Sequence, residues 1–152
     1  MTVHFICRGN AHRSIMAEAY LKSLQLENVE VLSSGTVADN YRLQNEPIIS
    51  GIRKRLEKHG TGIYAKTISE QLTQNRVDSG DITVCVNQIV ANECESVVSM
   101  PNNTIVWDVS DTGEGNRIIL PGEDKYKYFE EVYEEITKNV DELITEKILA
   151  LV

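Results

Sequence analysis

Apolar positions along this chain alternate between short β-branched runs and longer helical stripes. Val3-His4-Phe5-Ile6 is a short, largely apolar run and reads as a buried strand; Val29-Glu30-Val31-Leu32 reads as a second. Between them Met16, Ala17, Tyr20, Leu21 and Leu24 recur at helical spacing, which predicts a helix over residues 14–26. A strand–helix–strand unit of this kind favours a parallel sheet. Residues 82–86, Ile-Thr-Val-Cys-Val, have the β-branched content of a central parallel strand, and Thr104-Ile105-Val106-Trp107 supplies a fourth. A helix over residues 88–98 is expected to turn Ile89, Val90, Val97 and Val98 inward. The last helix, residues 128–149, carries a stripe of Phe129, Val132, Tyr133, Ile136, Val140, Leu143 and Ile144.

The middle of the chain is less regular. Residues 37–46 read as a polar, mobile connection. Pro47 is a favoured first helical residue, so a helix is expected from there to a stop at Gly60, with Ile49, Ile52 and Leu56 inward. Its outer face is basic (Arg53-Lys54-Arg55 and Lys58), as a solvated face often is, and His59 is its last polar residue. Thr67 and Glu70 have capping-box spacing, which predicts a short helix over residues 67–72. The sum is an α/β fold: one domain over residues 1–152, a three-layer sandwich with a four-stranded parallel sheet and helices on both faces. In such sheets the ligand site lies beyond the carboxyl ends of the strands.

That end of the first strand carries the chain's most distinctive stretch, Cys7-Arg8-Gly9-Asn10-Ala11-His12-Arg13-Ser14. It reads as strand end, tight loop and helix start. Gly9 and Asn10 readily take the left-handed angles of a tight loop. Such a loop can turn its N–H groups inward as an anion nest at the positive end of a helix. A thiolate at Cys7 is stabilised by the same groups, and the planar fork of Arg13 suits two oxygens of a phosphate-like ligand. The competing reading is a buried cysteine closing a core strand, with Arg13 on a solvated helix face; the apolar run, the Gly-Asn pair, Ser14 and the following helix weigh against it.

Charge narrows the partners. The net charge is −8 and the pI about 4.9, which argues against nucleic-acid and anionic-membrane surfaces. There is no apolar run of membrane-spanning length and no signal-peptide pattern. Three cysteines give neither a disulfide framework nor a C-x-x-C zinc spacing. A reduced, cytoplasmic protein without metal or cofactor is expected.

The stretch Phe5-Ile6-Cys7-Arg8-Gly9-Asn10-Ala11-His12-Arg13-Ser14-Ile15-Met16-Ala17-Glu18 resembles the active-site loop of the low-molecular-weight protein tyrosine phosphatases and the related thioredoxin-coupled arsenate reductases. Those proteins read C-x-G-N-x-C-R-S and then a Met-Ala-Glu-like run. This chain departs at His12, where a second cysteine is common, and at Ile15, where a proline is common. The resemblance implies a metal-independent phosphate-monoester hydrolase acting on a phosphorylated protein or a small phosphate ester. In it Cys7 attacks to form a cysteinyl-phosphate, Arg13 holds oxygens, and Arg8, Gly9, Asn10, Ala11, His12 and Ser14 line the phosphate site. Ser14 bonds the sulfur, and Ser33, in a segment similar to the family's S-A-G-T, braces Asn10. The family's general-acid aspartate, usually Asp-Pro before the final helix, matches Asp111 by a Trp-x-x-x-Asp spacing from Trp107. The proline is missing and the loop is long, so Asp108 stands second and Asp124 third. A histidine supports the loop in the family; Ile63 or Tyr64 stands in its place here, and no such support is expected. Arg8 and Ala11 make a less apolar rim than in the tyrosine phosphatases, while Tyr126 and Tyr128 are candidates for an aromatic wall. Phosphotyrosine and phosphoarginine both stay open.

Two other functions compete. Arsenate reduction would relay a disulfide from Cys7 to Cys85 and Cys94, but their spacing of nine is long, Cys85 falls inside a predicted strand, and two ordinary semi-buried cysteines are favoured. The altered positions 12 and 15 and the missing Asp-Pro also fit a weak phosphate-binding module.

Overall fold

The computed structural model describes residues 1–149. Its regular elements are β1 (Thr2–Cys7), α1 (Arg13–Ser23), β2 (Glu30–Gly35), α2 (Arg42–Leu56), α3 (Gln74–Asp78), β3 (Ile82–Cys85), α4 (Gln88–Val97), β4 (Ile105–Val106) and α5 (Phe129–Leu143). The four strands form one sheet in the order β2-β1-β3-β4, all parallel, with Phe5 beside Ser33 and Val84 and Val84 beside Ile105. This is the expected α/β architecture.

Alternation along the strands divides the interior in two. Val3, Phe5 and Val84 join a core with Ile15 and Leu21 of α1, Ile49 and Ile52 of α2, and Phe129 and Ile136 of α5. Ile6, Cys7 and Cys85 join a smaller core with Val77 of α3 and Val90 and Cys94 of α4. The helix after β1 therefore covers one face and the helix after β3 the other. Neighbouring strands whose crossovers go to opposite faces define a switch point, and the carboxyl ends of β1 and β3 open a crevice there.

Several expectations need correction. The segment predicted as a mobile connection folds as a turn, Ala38–Tyr41, leading directly into α2 at Arg42. Pro47 thus lies inside α2 rather than at its start. The N–H it lacks would have met the carbonyl of Leu43, and Leu43 is 84% exposed, so water can take that place. The helix does end near Gly60, whose φ of +76° caps the turn Glu57–His59.

No helix forms over residues 67–72. Leu72 N–H donates to Gly35 O and Gly35 N–H to Glu70 O, so this stretch pairs with the end of β2, and the Glu70 N–H goes to Asn10. The helix comes later, at α3, with Thr73 as its cap. In α4 the Asn87 side chain accepts the Val90 N–H and sets the phase, so Val90 and Cys94 face inward while Ile89 and Val97 are 55% and 46% exposed. β2 runs beyond Leu32, the end of the predicted strand, through Ser33 and Ser34 to Gly35. α5 follows its predicted stripe to Leu143 and continues as a wider turn, Ile144–Ile148.

Candidate active site

β1 delivers Cys7 to the crevice, and the loop after it rests on Gly35 at the end of β2. A Cβ on Gly35 would lie 2.7 Å from Arg8 O, Gly9 C and Asn10 N, so no side chain fits under the loop. Thr36 N–H donates to Cys7 O, Val37 N–H to Arg8 O, and Asn45 Nδ2 to Gly9 O at 2.9 Å.

Asn10 is the hub of the loop. Its φ is +54°, and its side chain is fully buried. Its Nδ2 donates to Ser14 Oγ at 2.8 Å and Ser33 Oγ at 2.9 Å; its Oδ1 accepts from Glu70 N–H at 2.8 Å and Lys66 Nζ at 3.0 Å. These bonds fix the direction of the next ones. Ser33, already an acceptor, gives its proton to buried Glu18 at 2.9 Å. Ser14, likewise an acceptor from Asn10, has its own proton to offer Cys7 Sγ at 2.9 Å, where Asn10 N–H also donates at 3.2 Å.

Lys66 is a residue that sequence reasoning missed. No histidine occupies the supporting place, but this lysine braces both Asn10 Oδ1 and Ser33 O, and it pairs with Glu70. Burial pulls the Lys66 ammonium down, and the Glu18 and Glu70 carboxylates oppose that pull. A lone lysine between Ala65 and Thr67 has no pattern that would announce this role. Lys66→Met leaves the buried Asn10 oxygen with one donor and is expected to cost about 1–3 kcal/mol, read by urea unfolding.

Arg13 opens α1 and is only 1% exposed. Its Nη1 donates to Val109 O at 2.8 Å, and Nη2 lies 3.6 Å from Asp111 Oδ2 and 3.8 Å from Glu114 Oε1. Its Nε is buried without a protein partner. His12 Nδ1 is bonded to Asp111 Oδ1 at 2.9 Å. Burial pushes the Asp111 carboxyl up, but His12, Arg13 and the Thr112 N–H outweigh it and hold the group down at about 2. These ties contribute stability fully above the ordinary carboxylate range and lose it as pH falls toward 2.

Cys7, Arg8, Gly9, Ala11, His12 and Asp111 line a cavity of about 450 Å³. Its remaining wall includes Val37, Tyr41, Ile48, Ile52, Tyr126 and Phe129. The supposed mobile connection and α2 therefore supply an apolar wall that was not foreseen. Tyr126 is held there: the Arg55 guanidinium sits 3.5 Å over its ring, and a Cβ on Gly51 would lie 1.9 Å from its hydroxyl oxygen. Arg8 turns to Glu93 at 3.2 Å and stays half-exposed at the rim.

Other candidates lie elsewhere. Asp108 is exposed, and Asp124 is exposed and caps Tyr126 N–H. Tyr128 donates its hydroxyl to Ile118 O. His59 stacks on Tyr133 and bonds Glu130. Cys85 and Cys94 lie in the smaller core, their sulfurs 3.7 Å apart, and the Cys85 contact and burial push the Cys94 thiol far above its ordinary value. Among the described residues no cluster of metal-ligating side chains occurs, and no helix is long and apolar enough to cross a membrane.

Comparison with known proteins agrees with this fold. The chain's fold matches a low molecular weight protein tyrosine phosphatase from Streptococcus pyogenes, with a TM-score of 0.75 at 20% identity over 96% of this chain and 92% of that one. It matches a low molecular weight protein tyrosine phosphatase from Bacillus subtilis with a TM-score of 0.66 at 25% identity, covering 97% and 99% of the two chains. A thioredoxin-dependent arsenate reductase from Corynebacterium glutamicum matches with a TM-score of 0.64 at 25% identity, covering 98% of this chain and 62% of that one. No curated protein matches the sequence. The family described as low molecular weight phosphotyrosine protein phosphatase matches residues 2–150, and the chain belongs to that family.

Proposed function

We propose that this protein hydrolyses phosphate monoesters without a metal, through a phosphoryl group carried on Cys7, and that its substrate is phosphotyrosine in a protein. One observation carries the reading. The Cys7 sulfur sits under a braced loop, facing the Ser14 hydroxyl and the Asn10 N–H, in a cavity that Asp111 shares.

In the first step the Cys7 thiolate attacks phosphorus. An S–P bond forms, the P–O bond to the leaving group breaks, and the leaving oxygen takes a proton from Asp111. The loop N–H groups and the unpartnered Arg13 Nε meet the equatorial oxygens as charge spreads over them. In the second step Asp111 takes a proton from water, the water oxygen attacks phosphorus, and the sulfur leaves with the Ser14 proton pointed at it. Inorganic phosphate is released.

The Asp111 carboxyl, held down at about 2, must carry a proton to act as donor. A phosphoryl dianion in the loop competes for Arg13 and His12 and repels the carboxylate, and both effects raise its proton affinity. The apolar wall of Tyr41, Ile48, Ile52 and Tyr126 suits a flat aromatic leaving group. The Arg8 cation stands apart from it, engaged with Glu93.

The test is hydrolysis of aryl phosphates by wild type and Asp111→Asn. Loss of the acid is expected to lower kcat/KM, which reports the first step, about 100-fold for phenyl phosphate and much less for a dinitrophenyl ester, because a good leaving group needs no proton. The wild-type rate is also expected to fall as pH rises and Asp111 loses its proton in the complex, and this limb is expected to vanish in the variant. Equal losses of kcat/KM on both esters would remove Asp111 from the role of proton donor. Parallel assays on phosphotyrosyl and phosphoarginyl peptides decide the substrate.

A second reading, arsenate reduction, has one observation in its favour, the 3.7 Å approach of the Cys85 and Cys94 sulfurs. Both thiols are fully buried, and a thiol held protonated is a poor relay nucleophile. A thioredoxin-coupled arsenate assay separates the two readings.

A further inference from the structure

We propose that Arg117 is a positioning residue for this reaction: it clamps the Asp111 loop to α5 and so fixes where the Asp111 carboxylate stands. The inference rests on the phosphatase reading and adds a residue to it.

The need for a clamp comes from the sequence. Between β4 and α5 the chain runs from Trp107 to Tyr128 without helix or strand, and Thr112, not proline, follows Asp111. A proton donor on such a segment must be anchored residue by residue if it is to meet the leaving oxygen.

The structure supplies those anchors in order. Val109 is fully buried; its N–H donates to Val86 O at 2.9 Å, and its carbonyl accepts Arg13 Nη1. The next carbonyl, Ser110 O, accepts Arg117 Nη1 at 2.6 Å. Asp111 N–H donates to Glu114 Oε2 at 3.2 Å. The turn then closes on Arg117 itself, through Gly113 N–H to Arg117 O at 2.6 Å and Arg117 N–H to Glu114 O at 3.0 Å. The far side of the guanidinium reaches α5, where Nη2 donates to Glu135 Oε2 at 2.6 Å and Glu131 Oε1 at 3.2 Å, one helical turn apart.

Arg117 is only 5% exposed and does not line the cavity, so it acts through Asp111. A planar fork can bind a carbonyl on one side and two carboxylates on another; an ammonium has no such fixed geometry. Burying a charge for surface solubility makes no sense, whereas burying it between the loop and a rigid helix sets their relative position.

A staple that only stabilised the fold would slow every substrate alike. A positioning residue penalises the step that needs the proton. Arg117→Met is therefore assayed on phenyl phosphate and on 2,4-dinitrophenyl phosphate, with hydrogen exchange followed at the amides of residues 109–114 and 7–14. The kcat/KM for phenyl phosphate, which reports phosphoryl transfer to Cys7 and not the hydrolysis step that both esters share, is expected to fall at least about tenfold further than that for the dinitrophenyl ester. Exchange is expected to speed up at 109–114 and not at 7–14, and Arg117→Lys is expected to restore only part of the loss. Equal losses on the two esters, or unchanged exchange at 109–114, overturn the proposal. Should Arg117→Met fail to fold, the pair Glu131→Gln with Glu135→Gln removes the other half of the clamp and is read in the same way. Exchange needs no turnover, so it decides the clamp even where Cys7→Ser and wild type hydrolyse alike, a result that would remove the phosphatase reading itself.

Discussion

Cys7→Ser is expected to lose all measurable turnover, at least about 10⁴-fold on any phosphate ester, while still binding inorganic phosphate about as tightly as wild type. The serine hydroxyl is close to the thiol in size, so the loop seated on Gly35 and braced by Asn10 keeps its shape. What disappears is the sulfur nucleophile. The same N–H and hydroxyl face the serine oxygen, but an alcohol is a far weaker acid than a thiol and its oxygen a much poorer nucleophile toward phosphorus and a poorer leaving group from it. Steady-state rates and phosphate binding by calorimetry together check this. Retained turnover would end the mechanism, and lost phosphate binding would mean the variant fails by collapse of the loop.

Arg13→Ala is expected to damage both turnover and stability. The guanidinium is buried; removing it leaves Val109 O, which Arg13 Nη1 holds at 2.8 Å, with only the longer Asn87 Nδ2 contact at 3.4 Å, and takes a cation from beside Asp111 and Glu114. Breaking such a partly buried charge cluster costs about 3 kcal/mol, a large share of the stability of a domain this size. Turnover is expected to drop about 10³-fold, because the developing equatorial charge loses its strongest donor. Arg13→Lys separates the two effects. It restores positive charge and much of the stability, but one ammonium cannot meet two phosphoryl oxygens and the Val109 carbonyl in the same plane. The expected order in turnover is wild type, then lysine, then alanine, with a small lysine deficit in urea midpoint and a large one in kcat. A lysine variant with wild-type kcat would show that charge alone suffices.

The parts legible in the sequence are those where local pattern and tertiary environment agree. Cys7 to Ser14 reads as strand end, loop and helix start because its apolar run, its Gly-Asn pair and its helical stripe are each local signals, and Arg13 does begin α1. The stripe of α5 is equally local, and Phe129, Val132, Tyr133, Ile136, Val140 and Leu143 are buried as their spacing predicts. The failures have a common physical source, competition from distant partners. The capping box at Thr67 and Glu70 gives way because the Glu70 N–H is claimed by Asn10 and its flanking backbone by Gly35. Pro47 marks no helix start because its missing N–H falls where Leu43 is exposed. Lys66 and the α2 wall were invisible for the same reason: nothing within several residues of them states what they face in the folded chain.

The phosphoryl–sulfur bond can be measured directly. Reduced protein in EDTA is mixed with p-nitrophenyl phosphate, quenched within the first turnovers, and examined by mass spectrometry of the peptide that carries Cys7. A phosphoryl group on the Cys7 sulfur is expected, forming no more slowly than the steady-state rate and absent in Cys7→Ser. Steady turnover with Cys7 unmodified, and with the same rate in Cys7→Ser, would contradict it.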